Sequence, residues 1–212
     1  MIDNEQLKIV IFDCDGVLFN SLRANSEFYN EIARQAGRRG LEPGELDYCH
    51  MHTAEESIRF IFRDHPHLIE KAFSVYQGLD YGNFLEYMEM EPSMEETVMT
   101  LRKRYYTAIS TNRSTTMPRL RQIYGLDGLF DKIVCALDVE RPKPHPEGVF
   151  KILENFDLKP ENGVYIGDSK VDEEVARRAG MPLIAYKNSS LDAAFHVEHF
   201  RELSGILMKG QG

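Results

Sequence analysis

Two aspartates separated by a single residue follow the first apolar run of the chain. Residues 7–12 are predicted to form a buried strand, and Asp13, Cys14 and Asp15 come directly after it. Two ionised carboxylates at this spacing repel each other, and the water-poor end of a buried strand is a costly place for both charges. The reason for such a pair has to come from the rest of the chain.

Two later stretches carry groups that could bind an anion. In "AISTNRS", Thr111 and Asn112 follow a predicted strand, where a hydroxyl residue can donate both its O–H and its N–H. The alternative is that residues 110–114 simply cap the next helix. In "ERPKPHPEGV", Lys143 lies between two prolines, which restrict the backbone and let a long side chain be aimed. The alternative here is an ordinary solvated lysine.

The stretch "VYIGDSKVDEEVARRAG" adds two more carboxylates. Its pattern predicts a strand, a tight turn and a helix, with Asp168 at the strand end and Asp172 near the helix start. An alternative role is capping, because Ser169 followed three residues later by Asp172 could satisfy free N–H groups of the first turn. Capping is compatible with a metal-binding role for Asp168.

The positions of these residues would be set by a regular alternation of strands and helices. Strands are predicted at residues 7–12, 106–110, 132–136, 164–167 and 183–186. Helices are predicted at residues 114–124, 146–155 and 170–179. The alternation predicts an α/β fold with a doubly wound parallel sheet, in which ligands bind at the carboxyl ends of the strands. The four stretches would therefore converge on one crevice, where acidic groups with one lysine and one hydroxyl suit a hard cation and a phosphoryl group.

One interval interrupts this alternation. Residues 18–90 contain no convincing strand but have helical patterns at 21–35, 53–64 and 68–77. We therefore predict an α/β core of residues 1–17 and 91–212, with a small helical domain of residues 18–90 inserted after the first strand. Gly16 and residues 91–93 are the expected hinges. Thr53, followed by Glu56, resembles a capping box, and residues 209–212 are expected to fray.

Composition narrows the possible partners and location. The 212-residue chain has a formal net charge of −9, which argues against non-specific binding to nucleic acid or anionic membranes but leaves room for a small phosphorylated substrate. The three cysteines are odd in number and widely spaced, as expected for reduced thiols in the cytoplasm. Neither a signal peptide nor an apolar run of membrane-spanning length is visible.

The order of these stretches closely resembles the phosphatases of the haloacid dehalogenase superfamily that carry a helical cap. "FDCDGVLFNS", "ISTN", "RPKPHP" and "YIGDSKVD" match that family's four motifs in order, and residues 18–90 occupy the position of its cap. The resemblance covers nearly the whole chain. It implies a Rossmann-like core and a Mg²⁺-dependent phosphatase that acts on a small phosphorylated metabolite, as a monomer or a homodimer.

The same resemblance implies a role for each motif residue. Asp13 would be the nucleophile that forms an aspartyl-phosphate, and Asp15 the general acid and base. Asp13, the backbone carbonyl of Asp15 and Asp168 would hold Mg²⁺. Phosphoryl oxygens would be bound by Thr111 and Lys143. Asp172 would orient Lys143 or a metal-bound water.

Other positions are less well defined by the sequence. Arg113 either faces the substrate or pairs on the surface, and Asn112 is a candidate for contact with the substrate or its surroundings. His50 and His52 are candidate substrate contacts or plain loop histidines, and a zinc site at these residues, or at His65 and His67, lacks acidic or cysteine partners at familiar spacing. Asn20-Ser21 replaces the Asp-Ser of many relatives, and Pro92-Ser93 replaces Pro-Gly.

Three rival functions share parts of this pattern. A phosphomutase would return the phosphoryl group to a sugar, but residues 19–22 do not closely resemble the mutases compared. A dehalogenase needs the first aspartate but not Asp15. A non-catalytic phospho-acceptor module would place its phosphorylated aspartate on the third strand, whereas Asp13 follows the first, and would lack the long helical insert. The predicted function is a phosphatase for a small monoester such as phosphoglycolate or a sugar phosphate.

Overall fold

The computed structural model of the protein describes residues 2–51 and 54–208, without the side chains of His50 and Met51. The described strands are β1 (Ile9–Phe12), β2 (Phe19–Asn20), β3 (Glu89–Met90), β4 (Tyr106–Ser110), β5 (Lys132–Val134), β6 (Gly163–Gly167), β7 (Leu183–Tyr186) and β8 (Phe195–Val197). The described helices are α1 (Leu22–Ala36), α2 (Glu45–Met51), α3 (Ala54–Ile61), α4 (Ile69–Gly78), α5 (Met94–Leu101), α6 (Met117–Tyr124), α7 (Glu147–Asn155), α8 (Lys170–Ala179) and α9 (Arg201–Leu207).

Six of the strands form one parallel sheet. Their order is β5-β4-β1-β6-β7-β8, and neighbouring strands in this order are all parallel. At the carboxyl end of β1, Phe12 lies opposite Ile109 of β4 and Ile166 of β6. The doubly wound parallel sheet predicted from the sequence is confirmed. Its strand order reverses between β1 and β6, which is the kind of switch point where such sheets form a ligand crevice.

Alternation along β1 explains why both faces of the sheet are covered. Ile9 and Ile11 belong to a buried cluster that includes Val149 of α7 and Val175 of α8. Because successive side chains point to opposite faces, Phe12 lies on the other side. There its ring stacks on Phe200, directly before α9, with 5.9 Å between ring centroids.

The chain divides into two compact units. One comprises the residues up to Phe19 together with those from Met90 onward, and contains the parallel sheet; the other is Asn20–Glu89. The second unit has its own apolar core, in which Phe28 and Ile32 of α1 pack with Ile58 of α3. Short strands β2 and β3 pair with each other where the chain passes from one unit to the other.

Several elements differ from the sequence-based prediction. Strand β5 ends at Val134 instead of residue 136, because Ala136–Asp138 forms a 3-10 turn. Helix α6 begins at Met117 instead of residue 114. Helices α2, α5 and α9 and strand β8 were not predicted from the sequence. The two-residue strands β2 and β3 were not predicted either; they lie at the two ends of the interval 18–90, in which no convincing strand was expected, and are too short to give a sequence pattern. The predicted capping residue Thr53 and the tail 209–212 lie outside the described residues. In the part described, no helix is both long enough and apolar enough to cross a bilayer.

Candidate active site

Asp13 is fixed at the end of β1 by the sheet itself. Its backbone N–H donates to the Ile166 carbonyl at 2.9 Å, so strand pairing continues up to the aspartate. One carboxylate oxygen, Oδ1, accepts a hydrogen bond from Lys143 Nζ at 2.6 Å. Burial and the negative charge of Asp172 hold the pKa of Asp13 well above its usual value, although Lys143 acts in the opposite direction.

The turn after Asp13 needs a glycine because it passes very close to Asp168. Gly16 has a φ of 81°, a backbone conformation that residues with a Cβ atom rarely adopt. A Cβ atom at this position would lie 2.0 Å from Asp168 Oδ2. The absence of a side chain therefore lets the β1 loop and the β6 loop approach each other at the switch point.

Lys143 is the centre of a buried polar cluster. Its ammonium donates to Asp13 Oδ1 at 2.6 Å, to Asp172 Oδ1 at 2.8 Å and to the hydroxyl of Tyr165 at 3.1 Å. Its side chain is only 6% exposed. Burial favours the neutral amine, but the two aspartates outweigh burial and raise the pKa of Lys143, so the lysine stays charged.

Asp172 combines a capping role with a role in this cluster. Its Oδ2 accepts hydrogen bonds from Ser169 Oγ at 2.6 Å and from Ser169 N at 3.2 Å, and Ser169 Oγ accepts one from Asp172 N. Its Oδ1 is bound to Lys143. Burial would favour the protonated acid, but Lys143 and the hydrogen bonds from Ser169 lower the pKa of Asp172. The capping box considered in the sequence analysis is present, and it coexists with the contact to Lys143.

Asn112 holds the backbone of Lys143 in place. Its side-chain amide donates to the Lys143 carbonyl at 2.9 Å and accepts from the Lys143 N–H at 2.9 Å. The loop after β4 is thereby tied to the loop that carries the lysine. Both polar atoms of the Asn112 side chain contact protein backbone in this structure.

Thr111 offers less to an anion than its sequence position suggested. Its backbone N–H donates to the Val134 carbonyl at 3.1 Å, so the expectation that this N–H is free to bind an anion is wrong. The side-chain oxygen accepts from the Arg113 N–H at 3.0 Å. What remains for a ligand is the hydroxyl hydrogen of Thr111, a residue that is 4% exposed.

Asp15 is paired with Arg113 instead of with Lys143. Arg113 Nε donates to Asp15 Oδ2 at 3.1 Å, and Nη2 donates to Oδ1 at closer range. Arg113 Nη1 also donates to Thr116 Oγ1 at 3.1 Å. The two carboxylates of the Asp-Cys-Asp stretch therefore have different cationic partners. Of the two alternatives left open for Arg113, pairing is observed. Its partner is Asp15, and the Arg113 side chain is only 6% exposed, so the pair is not an ordinary surface pair.

The acidic groups at the switch point fit a hard divalent cation. Asp13, Asp168 and Asp172 each place a carboxylate oxygen within 4.8 Å of the others. Both oxygens of Asp172 already accept hydrogen bonds, which leaves Asp13 and Asp168 as the better ligands. Burial and the charge of Asp172 raise the pKa of Asp168 to about 7. A bound cation would remove this repulsion, and oxygen donors of this kind suit Mg²⁺.

A further contact fixes the loop that carries Asp168. Asn188, in the loop after β7, donates through its side-chain amide to the Asp168 carbonyl at 2.7 Å and holds that loop in position.

Two residues of this cluster were not identified from the sequence. Tyr165 lies inside β6, and its hydroxyl donates to the Ser110 carbonyl at 3.1 Å as well as contacting Lys143. A tyrosine in a fully buried strand is a usable signal, because a buried hydroxyl needs a partner. Asn188 carries no such signal, since asparagine is common in loops.

The histidines considered for metal binding are not part of the cluster. In the described chain, His65 and His67 lie with ring centroids 6.2 Å apart and belong to no group of three possible metal ligands. His52 and the side chain of His50 lie outside the described residues.

Comparison with known proteins agrees with this geometry. The family model described as haloacid dehalogenase-like hydrolase matches residues 10–186 of the chain. The sequence is 28% identical over 185 residues to pyrophosphatase PpaX of Bacillus cereus strain G9842, covering 82% of this chain and 81% of that protein.

Solved structures show the same fold. A haloacid dehalogenase-superfamily hydrolase of subfamily IA from Geobacter sulfurreducens PCA superposes with a TM-score of 0.87 at 36% identity, covering 95% of this chain and 97% of that one. A protein described as a predicted phosphoglycolate phosphatase from Haemophilus somnus 129PT superposes with a TM-score of 0.81 at 21% identity, covering 95% of this chain and 98% of that one. At that lower identity the similarity concerns the fold alone.

Proposed function

Because the chain belongs to the haloacid dehalogenase-like hydrolase family, we propose that it is a Mg²⁺-dependent phosphatase that works through an aspartyl-phosphate on Asp13. The observation that carries the proposal is the position of Lys143. Its ammonium lies 2.6 Å from Asp13 and 2.8 Å from Asp172, beside the acidic cluster at the sheet's switch point. A fixed cation next to a candidate nucleophile is what the transfer of an anionic phosphoryl group requires.

The metal would be held by the carboxylates of Asp13 and Asp168 and by the backbone carbonyl of Asp15. When bound, Mg²⁺ would act as a Lewis acid on the phosphoryl oxygens. Lys143 and the Thr111 hydroxyl would bind those oxygens as well and orient the phosphorus toward Asp13. Asp172 would keep Lys143 in place, with Asn112 holding the lysine backbone.

The reaction divides into two half-reactions that use the two aspartates differently. In the first, an Asp13 oxygen bonds to phosphorus and the bond to the leaving oxygen breaks, while Asp15 gives that oxygen a proton. In the second, Asp15 takes a proton from water, the water oxygen bonds to phosphorus, and the bond to Asp13 breaks. Inorganic phosphate is released, and both aspartates return to their starting state.

The proposed substrate is a small phosphate monoester, such as phosphoglycolate or a sugar phosphate. Residues 18–90 would serve as the helical cap that contacts the leaving group. A phosphoanhydride such as inorganic pyrophosphate is a second candidate, favoured by the match to pyrophosphatase PpaX of B. cereus over most of both chains. The three cysteines are buried free thiols, which supports a cytoplasmic location, and we expect a monomer or a homodimer.

Phosphate release from a panel of substrates tests the proposal. The panel comprises p-nitrophenyl phosphate, phosphoglycolate, glucose 6-phosphate, inorganic pyrophosphate and a phosphopeptide, each assayed with Mg²⁺ and with excess EDTA. We expect turnover of one of the small substrates that stops in EDTA. Full activity in EDTA would refute the metal site, and best turnover of the phosphopeptide would refute the substrate class. Little phosphate release from any monoester, together with isomerisation of a sugar phosphate in the presence of a bisphosphate activator, would indicate a mutase.

A further inference from the structure

The carboxylate of Asp15 is clamped by one buried arginine. Arg113 contacts both oxygens of Asp15, through Nε and Nη2, in the side-by-side geometry that a guanidinium offers a carboxylate. The side chain of Asp15 is still 36% exposed, whereas that of Arg113 is 6% exposed. Asp15 is therefore held by Arg113 on its buried side, and its other side is exposed to solvent.

Arg113 is itself held at several points. Its Nη1 donates to Thr116 Oγ1 at 3.1 Å, and its backbone N–H donates to Thr111 Oγ1 at 3.0 Å. Its carbonyl accepts from the Ala136 N–H at 3.0 Å. These contacts leave the guanidinium little freedom, so it can transmit a fixed orientation to the carboxylate it binds.

The same loop therefore connects two proposed functional groups. Thr111 and Arg113 are two residues apart and share a hydrogen bond, so the phosphoryl contact and the clamp on Asp15 move as one element. Proton transfer to a leaving oxygen depends on donor placement within fractions of an ångström, and a free aspartate on a loop would not provide this.

We propose that Arg113 is a positioning residue for the acid–base steps: it holds the Asp15 carboxylate in the orientation required to protonate the leaving group and to deprotonate the attacking water. This inference rests on the proposed phosphatase function. It gives Arg113 a role that acts through Asp15 and not through binding of the substrate.

The test is a double-mutant cycle of Arg113→Gln and Asp15→Asn, followed by steady-state kinetics with p-nitrophenyl phosphate and with an alkyl phosphate. In the wild-type background, Arg113→Gln should lower kcat for the alkyl phosphate by ~10- to 100-fold, a part of the ~10²–10⁴-fold that acid–base assistance contributes. KM should change little. In the Asp15→Asn background, the same substitution should have almost no further effect, because the group it positions is already absent.

A second readout distinguishes positioning from general destabilisation. With p-nitrophenyl phosphate, whose leaving group needs little protonation, Arg113→Gln should still phosphorylate Asp13 but hydrolyse the adduct slowly. Rapid quench and mass spectrometry should therefore find more adduct on the Asp13 peptide than in the wild type. Arg121→Gln is the matched control. Arg121 pairs with Asp127, both side chains are exposed, and its substitution should change neither kcat nor the adduct level.

Arg113→Lys covers the case in which the glutamine variant does not fold. It keeps the charge but cannot bind both carboxylate oxygens in parallel, so it should also lower kcat and accumulate adduct while its melting temperature stays near that of the wild type. The inference would be overturned if the kcat losses of the two single variants multiplied in the double mutant. It would also be overturned if Arg113→Gln raised KM and still did so in the Asp15→Asn background. An inactive wild type would instead refute the proposed function itself.

Discussion

Asp13 and Asp15 are one residue apart in sequence, yet their carboxylates have separate cationic partners. Lys143 contacts Asp13, and Arg113 contacts Asp15. The repulsion expected between two neighbouring carboxylates is therefore offset by two fixed cations from different loops. This arrangement allows the two aspartates to have different roles, which mutation can separate.

Asparagine substitutions should separate those roles. Asp13→Asn removes the proposed nucleophile, so no covalent intermediate should form. Asp15→Asn keeps the nucleophile but loses acid–base assistance, so turnover of an alkyl phosphate should fall by ~10²–10⁴-fold. With p-nitrophenyl phosphate, quenched-flow mass spectrometry should detect an adduct on the Asp13 peptide in Asp15→Asn and none in Asp13→Asn. Turnover by Asp13→Asn, or an adduct on another residue, would contradict this assignment.

Asp168 should make the metal-free protein less stable at alkaline pH. Its pKa is raised to about 7 by burial and by Asp172, whereas an unfolded chain has a value near ~3.9. Between these two pKa values the folded state binds more protons than the unfolded state, so the free energy of unfolding falls as the pH rises toward 7. Above pH 7 the full loss of stability from the Asp168 charge is present.

Asp168→Asn should therefore raise the melting temperature in EDTA at pH 8 by ~2–4 °C, which corresponds to ~1 kcal/mol for a chain of this size. The gain should shrink as pH is lowered toward 4. Differential scanning fluorimetry across pH measures this directly. The same variant should lose the melting-temperature increase that Mg²⁺ gives the wild type through binding to the folded state. A variant less stable than the wild type at pH 8 would show that the Asp168 charge is not the source of the penalty.

At the scale of elements, the site depends on loops that cross-link the ends of β1, β4 and β6. The β1 loop approaches the β6 loop because Gly16 lacks a side chain, and Asn112 ties the β4 loop to the backbone of Lys143. Each strand end is thus held both by sheet pairing and by a neighbouring loop. Small changes in loop shape should then act on the chemistry.

Gly16→Ala tests the close approach between the two loops. Its Cβ would meet Asp168 Oδ2 at 2.0 Å, so Asp168 or the turn must move, and we expect at least a ~10²-fold loss of kcat/KM. Gly44→Ala is a matched control, because Gly44 has the same φ of 81° but nothing within 4 Å of its added Cβ. Both variants carry the backbone strain, of ~1–2 kcal/mol, while the clash is specific to Gly16. Equal losses of activity in the two variants would show that strain alone accounts for the effect.

The whole molecule consists of two units with separate cores. In the unit Asn20–Glu89, the carboxylate of Glu45 is 1% exposed and accepts hydrogen bonds from Arg38 at 2.8 and 3.0 Å and from Arg63 at 2.7 Å. Removing this carboxylate is costly because Arg38, which is 7% exposed, would be left with the exposed Glu42 at 3.2 Å as its acidic partner, whereas Arg63 is 40% exposed and can be solvated.

Glu45→Ala should destabilise that unit by ~1–3 kcal/mol, the cost of leaving the mostly buried Arg38 guanidinium with fewer hydrogen bonds. Hydrogen exchange with mass spectrometry should show that exchange in peptides from residues 20–89 is faster in the variant than in the wild type. Exchange in peptides from β1, β4 and β6 should change little. Glu31→Ala is the control. Glu31 makes a surface pair with Arg34, whose side chain is 68% exposed, and its removal should leave the exchange rates nearly unchanged. Equal acceleration across both units would show that they unfold as one cooperative body.

The sequence by itself determined the sheet and the positions of the chemistry-bearing residues along it. Apolar runs of strand length and helical periodicity are local properties, and their alternation restricts the topology to a doubly wound parallel sheet. That topology brings strand ends to one edge, so Asp13, Lys143 and Asp168 could be placed near each other before any contact was known. Strand β8 was not predicted, because two of its three residues are exposed and it pairs with β7 at the edge of the sheet.

Only the tertiary structure decided which partner each side chain has. Arg113 and Asp15 are 98 residues apart, and Asn112 and Lys143 are 31 apart. Such pairings depend on strand order, on register and on which rotamers close packing permits, none of which is encoded in a local pattern. For the same reason the sequence did not reveal that the Thr111 N–H is used by Val134 or that the Tyr165 hydroxyl reaches Lys143. Residue type indicates what a side chain can do, whereas the packing of distant segments determines what it contacts.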